Sequence, residues 1–172
     1  MGTPDMERLQ KGADQGDALA LLQLGTMYKD GVAPIEKDVS KAKELFEKAA
    51  DAGHPNGMLE LGLLLCRGEE IQRNLIEGRN QIERALSIFG DDLHPMDSYA
   101  LGILYWDGKT TDSGDPRDKT VEDMQKTVKY LSHAVNNGIE PMREQLEVAK
   151  KQLDNKLEME KSGRAITNIS RS

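Results

Sequence analysis

Aromatic residues are scarce in this chain: two Phe, four Tyr and one Trp make up 4% of 172 residues, while charged residues reach 31%. A compact enzyme core draws on more rings than that, whereas a thin stack of helices, each burying one narrow stripe, does not need them. Cysteine is nearly absent as well. Cys66 stands alone, which excludes an intrachain disulfide framework and favours a reducing compartment. No apolar run approaches the ~20 residues of a membrane span, and the N-terminus lacks the basic and apolar regions of a secretory signal. Met1-Gly2 invites N-myristoylation, but Met6 stands where that signal needs Ser or Thr. There is no basic stripe, and the net charge of −7 argues against nucleic acid as the main partner, because phosphate binding needs clustered Lys and Arg. These absences lead us to expect a cytoplasmic protein with neither membrane nor nucleic acid as a partner.

What is present is repetition. From Ser40 to Gly53 the apolar residues Ala42, Leu45, Phe46, Ala49 and Ala50 follow one another at steps of three, one, three and one. That spacing lays them along one stripe of a helix, with Lys and Glu on the other side. Gly53 supplies a residue that can turn the chain out of the last helical turn. The same arrangement returns as Thr127, Tyr130, Leu131, Ala134 and Val135, closed by Gly138. The helix before it repeats too. Leu24-Gly25, with Tyr28 and Gly31, recurs as Leu61-Gly62 with Leu65 and Gly68, and again as Leu101-Gly102 with Tyr105 and Gly108. The Leu-Gly pair moves by 37 and then by 40 residues, somewhat more than the ~34 of a tetratricopeptide repeat and suited to a solenoid of helix pairs.

The pattern Ala-x-x-x-Leu-Gly-x-x-Tyr-x-x-Gly, then Asp-x-x-Lys-Ala, then Lys-Ala-Ala-x-x-Gly resembles the Sel-one-like repeat (SLR) family. Ala20, Leu24, Gly25, Tyr28, Gly31, Asp38, Lys41, Ala42, Lys48, Ala49, Ala50 and Gly53 match it position by position. Later copies are more degenerate: Leu65 stands where Tyr is expected, and Gly78-Arg79 where Lys-Ala is expected. The resemblance covers roughly residues 6 to 140. It implies an all-α, right-handed α/α solenoid of about three helix pairs.

Taken in order, residues 5–16 read as a half-repeat, because Leu9, Ala13 and Gly16 align with Phe46, Ala50 and Gly53. Either the domain begins with a half-repeat cap or the chain is a piece of a longer solenoid. Full repeats are expected over 17–53, 54–90 and 91–138, with Asp17 capping the first helix. Pro55 and Pro95, just after His54 and His94, fit first-turn positions. The third repeat carries about eight extra residues within Lys109 to Asp118, whose Thr, Ser, Gly, Asp and Pro read as an exposed loop. Thr120-Val-Glu-Asp123 reads as a capping box. A longer helix over 140–161, with Met142, Leu146, Ala149, Leu153 and Leu157 on one stripe, is expected to cap the solenoid of 1–161. Residues 162–172 lack periodicity and are expected to be a disordered tail.

Motifs of catalysis are missing. No phosphate-binding glycine loop, nucleophile elbow or zinc motif occurs, so no enzyme activity, cofactor or metal is expected. His54 and His94 occupy equivalent helix starts on successive repeats, which lie roughly 10 Å apart, too far for shared coordination. His133 has no Cys or acidic companion at ligand spacing. Cys66 reads as a small, half-buried residue rather than a nucleophile. Gly25, Gly62 and Gly102 need a different explanation, since a mid-helix glycine costs about 1 kcal/mol against alanine. Close approach of the paired helix provides it.

Function is then expected on the surface. Opposite Leu24, Gly25 and Tyr28, the first copy presents Leu19, Gln23, Thr26 and Asp30; the second presents Asn56, Glu60, Leu63 and Arg67; the third presents Met96, Ala100, Ile103 and Asp107, flanked by Trp106. The family resemblance implies that such helices line a concave surface that receives protein segments. Partner contacts are accordingly expected at Gln23, Thr26, Asp30, Glu60, Leu63, Arg67, Ile103, Trp106 and Asp107, a mixture of anchors and orienting polar groups. The competing reading is that Leu63, Ile103 and Met96 complete the packing between repeats. The resemblance implies a non-enzymatic adaptor or scaffold, and we expect a monomer rather than a homo-oligomer. The alternative is a structural subunit held permanently in a larger assembly. An enzyme comes third, because the bacterial relatives linked to hydrolase-like activity carry paired cysteines that this chain lacks.

Overall fold

The computed structural model describes residues 3–90, 92–113 and 115–169, with side chains described from Met6 to Ser162. Among the described residues the regular structure is entirely helical. Contacts gather into two compact units, Met1–Asp92 and Leu93–Ser172.

Among its described residues the first unit holds five helices: α1 (Thr3–Asp14), α2 (Ala18–Asp30), α3 (Val39–Asp51), α4 (Pro55–Arg67) and α5 (Leu75–Phe89). Short polar side chains start α2, α3 and α5. Asp17 accepts from the Ala20 N–H at 2.8 Å and Asp38 from the Lys41 N–H at 2.9 Å, each satisfying a donor that has no partner inside its helix. Asn74 does the same for α5 through the Glu77 N–H. The stripe Ala42, Leu45, Phe46, Ala49 and Ala50 is buried as its spacing requires, and Leu45 and Ala49 share a core with Ala13, Ala20, Leu21 and Leu24.

Mid-helix glycines mark where paired helices touch. A Cβ placed on Gly25 would lie 2.7 Å from the Phe46 ring, and one on Gly62 would lie 2.7 Å from Ile82 Cγ1 and 2.8 Å from the Gly78 carbonyl oxygen. In the second unit a Cβ on Gly102 would lie 2.6 Å from Leu131 Cδ2. One repeat position therefore serves the same contact three times.

The second unit contains α6 (Pro95–Trp106), α7 (Val121–Asn136) and α8 (Arg143–Ile169), with 3-10 turns at Pro116–Asp118 and Glu140–Met142. Tyr105 of α6 stacks on Tyr130 of α7, ring centroids 5.9 Å apart. Thr120 and Asp123 form the capping box at the start of α7. The first half of α8 packs on α7, burying Leu146 and Ala149 with Leu131 and Val135. Met142 packs against the same cluster, and Leu153 and Leu157 are half-buried.

Two expectations need correcting here. The Lys109–Asp118 insertion is not simply exposed: Thr110 and Thr111 are buried. Thr111 donates its hydroxyl to the Gly108 carbonyl at 2.8 Å, and Ser113 donates to Asp118 at 2.5 Å. Hydroxyl and carboxylate side chains here replace the backbone ladder that a helix would supply. Second, the stretch expected to be a tail from residue 162 continues α8 as far as Ile169, while residues 170–172 lie outside those described. Gly163 weakens a helix, but no proline stops one already under way, and propagation is far easier than nucleation.

Candidate partner-binding surfaces

In the first unit, α2 and α4 lie side by side and present charged side chains to one another and to the loops that follow them. Lys29 of α2 bridges to Glu60 of α4 at 2.8 Å, with both side chains about a quarter exposed. Lys37, in the loop after α2, bridges to Glu70, in the loop after α4, at 2.5 Å, and Glu70 raises the Lys37 pKa. Between these bridges lies an open groove lined by Asp30, Glu60, Leu63 and Arg67 of the expected set, together with Leu64 and Ile71. Gln23 and Thr26 do not line it, and the Thr26 hydroxyl is already donated to the Leu22 carbonyl at 3.0 Å. Leu63, expected as an anchor, is only 4% exposed. Its side chain belongs to packing, because a leucine in the floor of a helix pair is sealed by its neighbours before any partner arrives.

In the second unit, Ile103 and Trp106 are half-buried against Leu131, Val135, Leu146 and Ala149. Trp106 is covered on one side by the residue that follows the insertion. Lys119 places its ammonium 4.7 Å from the centroid of the indole and donates to the Trp106 carbonyl oxygen at 2.9 Å. Lys119 is 6% exposed, and burial lowers its pKa against the opposing pull of Asp107 and Asp123. The open edge of Trp106 lines a groove with Asp107, Arg117, Met124, Lys156 and Met159. Of these the sequence reading named only Trp106 and Asp107. A signal for the α8 wall was present: Gln152, Asn155, Lys156 and Met159 follow at steps of three, one and three, a second face beside the apolar stripe.

The Sel1 repeat profile matches residues 18–54, 55–80 and 98–138. The chain belongs to the Sel1 repeat family. Two Arabidopsis thaliana proteins described as ERAD-associated E3 ubiquitin-protein ligase components are similar to parts of this Sel1 repeat chain. HRD3B is 30% identical over 105 residues, which is 60% of this chain and 16% of HRD3B. HRD3A is 36% identical over 64 residues, 37% of this chain and 9% of HRD3A. The chain thus spans less than a fifth of either relative. Among solved structures, a Sel1 repeat protein from Oxalobacter formigenes aligns over 88% of this chain and 98% of its own, at 26% identity and a TM-score of 0.50. The protective antigen c5321 of uropathogenic Escherichia coli, described as displaying an SLR fold, aligns over 76% of this chain and 32% of its own at 22% identity, also with a TM-score of 0.50. The likeness to c5321 concerns the fold alone.

The Sel1 repeat frames also place the remaining polar residues. His54 and His94 both stand at helix starts, and His94 Nδ1 caps α6 by accepting from the Met96 N–H at 3.2 Å. His133 has a partner that sequence spacing did not reveal, the Ser98 hydroxyl at 2.8 Å. Ser98 is fully buried and His133 half-buried, so the pair ties α6 to α7. Cys66 is fully buried as well, and burial pushes its thiol pKa up to about 11. Among the described residues no group of three or more His, Cys, Asp or Glu side chains is placed to hold a metal ion, and no helix is long and apolar enough to cross a membrane.

Proposed function

We propose that this chain is a non-enzymatic adaptor that binds segments of partner proteins on surfaces made by the first helices of its repeats. The observation that carries this reading is the first-unit groove, where Asp30, Glu60 and Arg67 from two successive first helices border one open channel with the apolar Leu64 and Ile71 in its lining. Apolar contact and orienting charge side by side are what a peptide needs to be held in one register. Relatives described as ligase components support a role in assembling proteins. Affinity capture of partners with the intact chain, compared with a chain carrying Arg67→Glu, tests it. Loss of roughly tenfold in affinity, about 1.4 kcal/mol, is expected with the helix content unchanged. Equal capture by both chains removes the groove from the reading.

A second reading, a structural subunit held permanently in a larger assembly, is favoured by both plant relatives being components of a ligase. Salt-resistant co-purification at fixed stoichiometry supports the subunit, and reversible capture of a peptide supports the adaptor. A cytoplasmic site of action is part of the proposal and rests on the single reduced cysteine; fractionation of cells expressing the chain in its natural context tests it.

A further inference from the structure

The groove beside Trp106 carries charge of the opposite sign to the chain around it. The whole protein has a net charge of −7, yet Arg117, Lys119 and Lys156 line this groove against the lone carboxylate of Asp107. Arg117 is already engaged by Asp115, Nη2 to Oδ2 at 2.5 Å and Nε to Oδ1 at 3.0 Å. Lys119 and Lys156 are not: neither has a carboxylate within ion-pair distance among the described residues. The Lys119 ammonium offers three donors and gives one to the Trp106 carbonyl. A cation this deeply buried is stabilised by an arriving carboxylate more than a solvated one is.

The rest of the groove is apolar and yielding. Met159 is 72% exposed, Met124 is half-buried, and both thioethers can adjust to an irregular side chain. Trp106 completes that lining, and it is not required by the repeat, whose other copies have Lys29 and Cys66 at this position. Residues 163–172 of this chain hold Arg164 and Arg171 but no Asp or Glu, so its own C-terminal stretch has the wrong charge to fill the groove.

We propose that this groove binds a short acidic segment of a partner protein, with carboxylates on Lys119 and Lys156 and an apolar side chain against Trp106, Met124 and Met159. The inference rests on the reading of the chain as a protein-binding adaptor and names the chemistry recognised by its second unit. The lowered pKa of Lys119 agrees with it, since a bound carboxylate would return that amine to its ordinary range.

The test is selection of random dodecapeptides displayed on phage against the full chain, followed by titration of the selected peptides into the protein. Trp106 is the only tryptophan, so its emission reports occupancy of this groove directly. Expected are sequences with Asp or Glu beside an apolar residue that change Trp106 emission on binding. Affinity should fall roughly tenfold or more for the Glu→Gln form of the peptide and for Lys156→Glu, the loss of a charge-assisted contact. Met159→Ser, at an exposed position, should weaken binding while leaving the far-UV spectrum unchanged. A neutral or basic consensus, no selected peptide, or an affinity unaltered by Lys156→Glu overturns the inference, as does equal quenching by a single-stranded oligonucleotide of matching charge. Peptides that depend on Arg67 but not on Lys156 overturn it too, while leaving the adaptor reading intact.

Discussion

Adding a single methyl group at Gly62 tests the reason for the repeated glycines. In a free helix Gly→Ala gains about 1 kcal/mol. At Gly62 the new Cβ would sit 2.8 Å from the Gly78 carbonyl oxygen, 2.7 Å from Ile82 Cγ1 and 3.0 Å from the Ile82 nitrogen. Two of these three neighbours are backbone atoms of α5, so relief requires α4 and α5 to separate. Overpacking of this kind costs about 1–3 kcal/mol, and a helix pair crossing glycine on glycine belongs at the upper end of that range. Subtracting the propensity gain leaves a net loss of about 1–2 kcal/mol, which at about 2–4 °C per kcal/mol for a chain of this length lowers Tm by about 2–8 °C.

Gly25→Ala is the internal control. Its Cβ would meet Phe46 ring atoms at 2.7 and 2.8 Å and Leu45 Cβ at 3.3 Å, all of them side-chain atoms. A ring can tilt where a carbonyl cannot, so Gly25→Ala should lose less than Gly62→Ala. Thermal unfolding followed by far-UV circular dichroism on both variants reads the difference. A Gly62→Ala midpoint equal to or above the parent, or a larger loss at Gly25, would falsify the backbone-contact argument.

Deleting the chain after Gly138 removes the cover of Leu131 and Val135, both buried against α8, and should produce self-association on size-exclusion chromatography; a monomer of unchanged stability would mean that α8 serves a partner and not the fold. Cys66, fully buried with a thiol pKa near 11, should react with a thiol reagent at pH 8 far more slowly in native protein than in guanidinium, and equal rates would refute its burial. Asp115 is held down to about 2 by Arg117. A depressed carboxylate contributes its stabilisation above the unfolded value of about 3.9 and loses it as pH falls through about 2, so a carboxyl NMR titration should place its midpoint near the lower figure; a midpoint near the ordinary value would show that the loop pair does not form.

Local spacing was enough to read the helix pairs. Steps of three and four along Ala42–Ala50 and Thr127–Val135 specify which face of a helix is apolar, and Asp17, Asp38 and Thr120 mark helix starts because the first turn leaves N–H groups unpaired whatever the tertiary context. The contact role of Gly25, Gly62 and Gly102 was legible for a related reason: a residue that weakens a helix recurs at one repeat position only if something outside the helix favours it. The candidate sites were less legible. Leu63 looked like a surface anchor on helical spacing, and its near-complete burial depends on how closely neighbouring elements approach, which periodicity along one helix does not encode.

The second-unit groove shows the limit most clearly. Trp106 and Lys156 are fifty positions apart, on helices whose apolar stripes were each visible in isolation. Which polar face of α8 would come to lie beside the end of α6 was decided by the packing of Leu146 and Ala149 on Leu131 and Val135. The folded insertion settled the rest by carrying Lys119 over the indole. A one-dimensional repeat pattern determines the faces of helices; the rotation and offset at which two faces meet are set by side-chain volumes across the contact, so the neighbours of Trp106 existed only once the core had closed.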